Sequence, residues 1–540
     1  MSPLKIDLPS QDKESQLFSS DAFLQKILPA YLPGCRWFTS KGKRIGACHL
    51  IHHFEISPAA YIVIVSINFA DGSNEVYQLP LAIIRTNKVA ELYDGPKAHL
   101  VLATGTSETN PFFLVDAIPL EEFRHALFQS MRDKRSQEDG LTFEGGKTLS
   151  ADQSKITSIV PAIDSSNTAI IFNDRYFFKL FRKLDPGLNP DLELTRFLSE
   201  QSDFTHSPAY CGSFSVAATE DTNFINLGLM IGKVDNQGDA WAYFQELTEA
   251  FYTRLIQQDL ATTAPPRYQV TTSYDDLATA IQNVLDRETY DRARLLGKRT
   301  GEMHLALAGG PDEDQDLAPE PFSESYREEV FAAAHRLLGR QFNELSYKVS
   351  GLPAEVKATA DSVLLLRGLI EERLAAIKKQ SGQLTVSRIH ADYHLGQVLK
   401  TEDDYCIIDF EGEPLLSIPE RRRKRPPFKD VAGMVRSFHY AAMGQLLLND
   451  KYSTEQRRQL TNWGEWWFRQ VRSSFLNGYM SVVEGASFVP TTNAGREDLL
   501  DFFVLEKAIY ETAYELNSRP DWLPIPLKGM LFALQDNKGK

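Results

Sequence analysis

Two periodicities run along this chain, and they change over near residue 235. Before that point apolar residues come in short blocks or alternate with polar ones, the habit of strands. YIVIVSINF (61–69) and EVYQLPLAII (75–84) predict two strands joined through DGSN, whose residues suit a turn. TAIIF and RYFFKLF flank Asn173-Asp174, two β-prone runs across a two-residue turn, which predicts a hairpin. INLGLMIGKV (225–234) predicts a further strand. Residues 20–30 read as a short helix, and 111–145 as a helical, charged segment ending at EGGK. After DNQGD (235–239) the helical period dominates, interrupted only around 389–414. A β-rich lobe, a hinge and a large α-lobe are the expectation.

Composition narrows the class. A chain of 540 residues has room for two or three domains with large cores. Hydrophobic content of 43% with 24% charged residues describes a folded chain. A net charge of -14 argues against nucleic acid or an anionic membrane as partner. MSPLKIDLPSQDKES lacks the apolar core of a signal peptide, and no apolar run approaches the roughly 20 residues of a membrane span. Cys35, Cys48, Cys211 and Cys406 are scattered, which predicts buried free thiols rather than disulfides. A soluble cytoplasmic protein is expected. GGPDEDQDLAPEPF (309–322) reads as a surface insertion and RRRKR (421–425) as a solvated or site-facing loop.

The chemistry concentrates in IHADYHLGQVLKTEDDYCIIDFEGEP (389–414). Oxygens of Asp392, Gln397 and Asp409 flanking a short apolar strand are costly unless a cation sits among them. His390-x-Asp392 followed by Gln397 resembles the kinase catalytic loop, where Asp accepts the substrate hydroxyl proton and an amide binds metal. Asp409 follows twelve positions later, where a returning hairpin would bring a second ligand beside the first. Oxygen ligands suit Mg²⁺ carrying a nucleoside triphosphate. A capped turn with solvated acids is the plain alternative, disfavoured by the whole H-x-D-x4-Q…D-F pattern.

A kinase reading demands parts upstream. Lys179 lies mid-strand in YFFKLF, unusual for lysine unless it is paired. Glu193, in the first turn of a helix capped by Asn189 and opened by Pro190, is its expected partner. Ser165, Ser166, Asn167 and Thr168 would cover the phosphates, and Lys233 and Val234 would face the base at the hinge.

HADYHLGQVL and IIDFEGEP, in tandem, resemble the maltokinase family. LPAYLPGCRWFTSKGKR, KLFRKLDPGLNPDLELTRFL, VDNQGDAW, LLGKRTGEMHLAL, KDVAGMVRSFHYAA and EKAIYETAYELNSRPDW are similar to its other blocks, so the resemblance runs from about 24 to 530. It implies an α+β, bilobal eukaryotic-kinase-like fold of the aminoglycoside-phosphotransferase type. Its parts would be a β-rich cap subdomain (1–110), an intermediate subdomain (111–234) and a large α-helical C-lobe (235–540). It implies transfer of the γ-phosphoryl group of ATP to the anomeric hydroxyl of maltose, giving maltose 1-phosphate for α-glucan synthesis. Asp392 would be the base, Gln397 and Asp409 the Mg²⁺ ligands, Lys179 the phosphate contact and His390 a prop for the loop. Trehalose synthase is the implied partner, since relatives exist fused to it. Ala391 stands where the family has glycine, and Cys35 where it has glutamine.

Sugar recognition has its own signal. Leu505, Ala508, Ile509, Thr512, Ala513 and Leu516 trace an apolar helical stripe. Tyr510 and Tyr514 stand four apart beside it, with Glu511 and Glu515, and predict a sugar-binding face. Asn517 and Arg519 just past the helix, and Arg436, are further candidates, while Asp430 reads as a helix N-cap. Tyrosines that merely pack are the alternative. The rival functions are an aminoglycoside- or choline-type kinase, which usually has Asn where Gln397 sits, and a silent pseudokinase.

Overall fold

The computed structural model describes residues 4–7, 11–85, 93, 95–107, 110–162, 166–217, 224–268, 273–380, 382–449 and 451–535. They form two compact units. The first comprises Met1–Arg196, Pro208–Lys233 and Ser417–Pro419; the second comprises Phe197–Ser207, Val234–Leu416 and Glu420–Lys540.

The first unit is built on two sheets. In the seven-stranded one, Ala60–Phe69 lies antiparallel between Ile45–Ser57 and Asn74–Ile84, which continues through Asn110–Asp116 to Val101–Ser107 and Leu4–Asp7. Lys183–Leu184 pairs off this path with Asn74–Ile84. The six-stranded sheet runs Leu141–Gly145, Tyr210–Val216, Ile225–Gly232, Tyr176–Leu180, Thr168–Phe172, Ser158–Ile159. Asn173 (φ 52°) and Asp174 (φ 51°) are both left-handed, as the two-residue hairpin between Thr168–Phe172 and Tyr176–Leu180 requires. One face of the seven-stranded sheet packs on Phe18, Phe23, Trp37 and Phe38; Ile62 and Ile64 of its other face join a core with Phe128, Phe172, Phe178 and Phe214. The stretch 111–145 is only partly helical. Strand Asn110–Asp116 precedes helix Glu121–Arg132, and strand Leu141–Gly145 follows. PFFLV is a continuous apolar run, and such runs carry no period that separates strand from helix.

The second unit is mostly helical. Arg287–Ala308 and Thr454–Val483 pack so closely at Gly297 and Gly478 that a Cβ at either would collide with the backbone of Phe475 or Arg294. Thr454–Val483 starts from a capping box of Ser453 and Gln456. The basic run meets the acidic insertion: Arg422 pairs with Asp316 at 2.8 Å, and Lys424 Nζ donates to Glu320 and to the Gln315 carbonyl, both at 2.6 Å. Arg423 forms a two-pronged pair with Glu329. The two segments that composition marked as odd therefore neutralise each other. All four cysteines are buried and free. Among the described residues no helix is long and apolar enough to cross a membrane.

Candidate active site

The stretch 389–414 folds as a loop, a tight hairpin and a second loop. Val398–Lys400 pairs antiparallel with Tyr405–Ile407, and the Ile408 amide extends the ladder to the Gln397 carbonyl at 3.0 Å. That register sets Gln397 beside Asp409, with Nε2 donating to Oδ2 at 3.0 Å. Asp409 takes φ 69°, a conformation that turns a carboxylate out of the strand line at a cost which the surrounding contacts must offset. His390 is fully buried and its Nε2 meets the Ile408 carbonyl at 2.9 Å, tying the two loops together. An oxygen pair of this kind fits a hard divalent cation: Asp409 would supply a carboxylate oxygen and Gln397 its amide oxygen once the amide turns over.

Asp430 is not a cap. Helix Phe428–Leu448 begins after Pro427, which makes no side-chain cap, and Asp430 sits in its first turn with the carboxylate on the loop. Oδ2 accepts the His390 amide at 2.7 Å and Oδ1 the Ala391 amide at 2.9 Å. Buried His304 bridges Asp430 (3.2 Å) to the Tyr479 hydroxyl (3.0 Å). Ala391 itself has φ 69°, a left-handed conformation that glycine takes without strain.

Asp392 opens onto a cleft of about 580 Å³, within the range of roughly 300–1,000 Å³ usual for small-molecule sites. Tyr510, Tyr514, Glu515 and Arg519 line the same cleft, so sequence-predicted base and sugar face share one cavity. Trp241, Tyr440 and Trp522 complete an aromatic wall, and Tyr440 stacks on Trp522 with centroids 5.8 Å apart. The Tyr510 hydroxyl donates to Glu413 Oε1 at 2.6 Å, and burial followed by that carboxylate raises its pKa above the ordinary tyrosine value. Tyr514 is 50% exposed, its ring under the Arg519 guanidinium at 5.1 Å. Arg519 grips Glu515 with two hydrogen bonds of 3.0 and 2.9 Å, and Tyr440 donates to the same carboxylate at 3.0 Å. Burial of His394, which also lines the cleft, holds its pKa below the usual histidine value. A smaller cavity of about 310 Å³ shares Asp392, Glu413, Lys507 and Tyr510 and reaches Arg421, Arg425 and Lys429.

Two candidates fall elsewhere. Arg436 is 2% exposed and bound to Glu511 through Nε at 2.9 Å, with Nη1 against His439 Nδ1 at 2.8 Å; it does not line the cleft. Asn517 faces outward to Lys348 (2.5 Å) and Glu344 (3.0 Å). The helix stripe explains both corrections: Glu511 and Glu515 are buried while Ala513 is only partly so, which turns the helix toward its acids. Trp241, Tyr440 and Trp522 went unassigned because they come from three separate segments; Glu413 lay within the motif, and its carboxylate was the available signal.

In the first unit, Lys179 Nζ donates to Asp191 Oδ2 at 2.7 Å, with the side chains 13% and 2% exposed. Asp191 opens the helix Pro190–Gln201, and Glu193, the expected partner, is buried two positions further along it. Ser166 and Asn167 form the bend before Thr168–Phe172, and Ser165 lies outside the described residues. Thr168 departs from expectation. Register pairs Lys179 with Ala169 and Leu180 with Thr168, so Thr168 faces away from Lys179, and its Oγ1 accepts from Arg182 Nε at 2.7 Å. Lys233 is paired with Asp174 at 2.8 Å and the Val234 carbonyl with Asn236 at 2.9 Å.

The architecture and the loop geometry define a kinase-like fold. A solved glucosamine kinase in complex with glucosamine, ADP and inorganic phosphate aligns over 94% of this chain and 98% of its own, with a TM-score of 0.59 at 17% identity. A second crystal form of glucosamine kinase gives 0.60 over 95% and 98%, also at 17%. Residues 31–119 match the maltokinase N-terminal cap domain, and the chain resembles the maltokinase family as its motifs implied. A glucosamine kinase from Streptacidiphilus jiangxiensis is 24% identical over 253 residues, 44% of this chain and 49% of that protein. One from Mycolicibacterium smegmatis is 27% identical over 142 residues, 25% and 32% of the two chains. The chain thus spans about half the length, or less, of these relatives.

Proposed function

We propose that this chain is an ATP- and Mg²⁺-dependent sugar kinase that phosphorylates the anomeric hydroxyl of maltose. The observation that carries the reading is the shared cleft: Asp392 opens onto the cavity walled by Trp241, Tyr440, Tyr510, Tyr514 and Trp522. Aromatic faces stack on the C–H surfaces of a sugar, while Glu413 and Glu515 offer acceptors to hydroxyls. The cap match and the sugar-kinase relatives support the same class.

In this reading Asp392 accepts the proton of the attacking hydroxyl as its oxygen bonds to the γ-phosphorus and ADP departs. Gln397 and Asp409 would hold Mg²⁺, whose charge would offset that of the phosphate oxygens. Lys179, kept in place by Asp191, binds phosphate, and Ser166 and Asn167 cover it; Lys233 and Val234 contact the base. The enzyme's work is placement and electrostatics, since no covalent enzyme intermediate is required. The division into cap (1–110), intermediate subdomain (111–234) and C-lobe (235–540), a cytoplasmic location, a feed into α-glucan synthesis and association with trehalose synthase belong to the same proposal.

A second reading takes glucosamine as acceptor. It is favoured by the names of the relatives and by the carboxylates of Glu413 and Glu515 in the cleft, which would pair with an ammonium. One experiment separates the readings. Purified protein with ATP·Mg²⁺ is offered maltose, glucose, glucosamine, choline and an aminoglycoside, and ADP and the phosphorylated product are scored. Maltose 1-phosphate as the dominant product is expected; turnover of glucosamine alone transfers the site to the second reading. Nucleotide binding without turnover on any acceptor overturns both. Asp392→Asn should lose about 10²–10⁴ in rate while still binding nucleotide.

A further inference from the structure

The first unit contains a cavity that the proposed reaction does not use. It encloses about 650 Å³ between residues of the matched cap, the helix Glu121–Arg132, residues 158–162, Thr168 and Arg182. Arg36, Lys97, Arg124 and Arg182 contribute to its lining, against one carboxylate, Asp116. In a chain of net charge -14, that cationic excess is against the average.

Asp116 does not cancel it. Its Oδ2 is taken by Arg182 Nη2 at 2.9 Å, each side chain 3% exposed, and its Oδ1 accepts the Ile118 amide at 2.9 Å. Arg182 Nε is satisfied by Thr168 at 2.7 Å, and its guanidinium lies over the Trp37 ring at 4.8 Å. Arg182 Nη1 is buried with no hydrogen-bond partner among the described residues, and the Tyr31 hydroxyl on the same wall is likewise unpartnered. Buried donors of this kind are rarely left unmatched, because each loses its hydration without replacement. Arg124 is held in place by Ser158 (2.8 Å) and the Ile118 carbonyl (2.7 Å), so the cationic wall is built rather than accidental. Ile159 and Val160, 60% and 44% exposed, add apolar surface to the lining.

We propose that this cavity binds a small organic phosphate, whose oxygen accepts a hydrogen bond from Arg182 Nη1, with Arg36, Lys97 and Arg124 around it and its body against Ile159 and Val160. A dianionic phosphate suits several converging cations better than a single carboxylate would. None of the proposed nucleotide contacts Lys179, Ser166, Asn167, Lys233 and Val234 lines this cavity, and strand register places its Thr168 on the opposite face of the sheet from Lys179. The proposal does not depend on which sugar the second unit accepts.

The test is calorimetric titration of the full chain with inorganic phosphate and with glucose 1-phosphate, without nucleotide. Both should bind, glucose 1-phosphate more tightly through its ring. Arg36→Gln with Lys97→Gln alters two exposed side chains and should weaken both ligands about tenfold or more at unchanged melting temperature. Lys179→Met should leave binding unaltered. No binding at millimolar ligand, binding insensitive to the Arg36/Lys97 pair, or loss of binding in Lys179→Met would each overturn the assignment.

Discussion

The carboxylate of Asp430 holds the backbone of Ala391, accepting its amide at 2.9 Å from the first turn of a helix that begins 37 positions later, at Phe428. The neighbouring His390 amide is held by the other oxygen at 2.7 Å. Two amides on one carboxylate fix the direction in which the next residue, Asp392, leaves the loop. Asp430→Asn keeps the shape but points an amide N–H₂ at a donor. Stability should fall by about 1–3 kcal/mol, the usual cost of an unmatched buried donor. Turnover should fall by about 10², as expected for a base displaced by roughly 1 Å, with little change in acceptor KM. Unfolding curves and steady-state kinetics on one preparation check this; unchanged turnover would remove Asp430 from the positioning role.

Ala391 pays for its left-handed backbone, at roughly 1–2 kcal/mol for an L-residue. Ala391→Gly relieves that cost but adds chain entropy to the unfolded state, about 0.5–1 kcal/mol. The net effect should be a small stabilisation, between about 0 and 1.5 kcal/mol, with activity retained. Urea unfolding measures it. Destabilisation beyond about 1 kcal/mol would show that the methyl group packs and the strain is not felt.

The pairing of Gln397 with Asp409 predicts how metal dependence should fail. Two protein oxygens make a weak site for Mg²⁺, so the ion should arrive mainly with the nucleotide. Asp409→Ala should abolish Mg²⁺-dependent turnover, and Gln397→Ala should raise the Mg²⁺ concentration needed for half-maximal rate. Wild-type Mg²⁺ curves for both variants would place the metal site elsewhere.

Tyr514 and Tyr510 should behave differently on truncation. Tyr514 is half exposed, so Tyr514→Ala should leave the melting temperature nearly unchanged while costing about 1–3 kcal/mol of acceptor binding, from the apolar face it covers. That is a rise in acceptor KM of roughly tenfold to a hundredfold, with nucleotide KM unaffected. Tyr510 is hydrogen-bonded to Glu413, and Tyr510→Phe should disturb both cavities that Glu413 lines. A thermally weakened Tyr514→Ala with normal acceptor KM would return the ring to packing.

What the sequence determined by itself was local. The hairpin at Asn173-Asp174, the strands at 61–69 and 75–84, and the pairing of Gln397 with Asp409 rest on turn chemistry, β-propensity and spacing within some 20 residues, which the chain cannot hide. Tertiary structure alone decided the pairings. Lys179 meets Asp191 at the very start of the helix, a neighbour that strand register and helix entry bring within reach. Arg436 looks like a substrate contact in sequence, but packing against the helix Asn493–Ser518 buries it on Glu511. Asp430 looks like a cap, and only the return of a distant loop gives its carboxylate two amides to hold. The aromatic wall draws Trp241, Tyr440 and Trp522 from three segments, and nothing local marks them as neighbours. A side chain's type is written locally, whereas its partner depends on which of many similar charges or rings the packed core brings within about 3 Å.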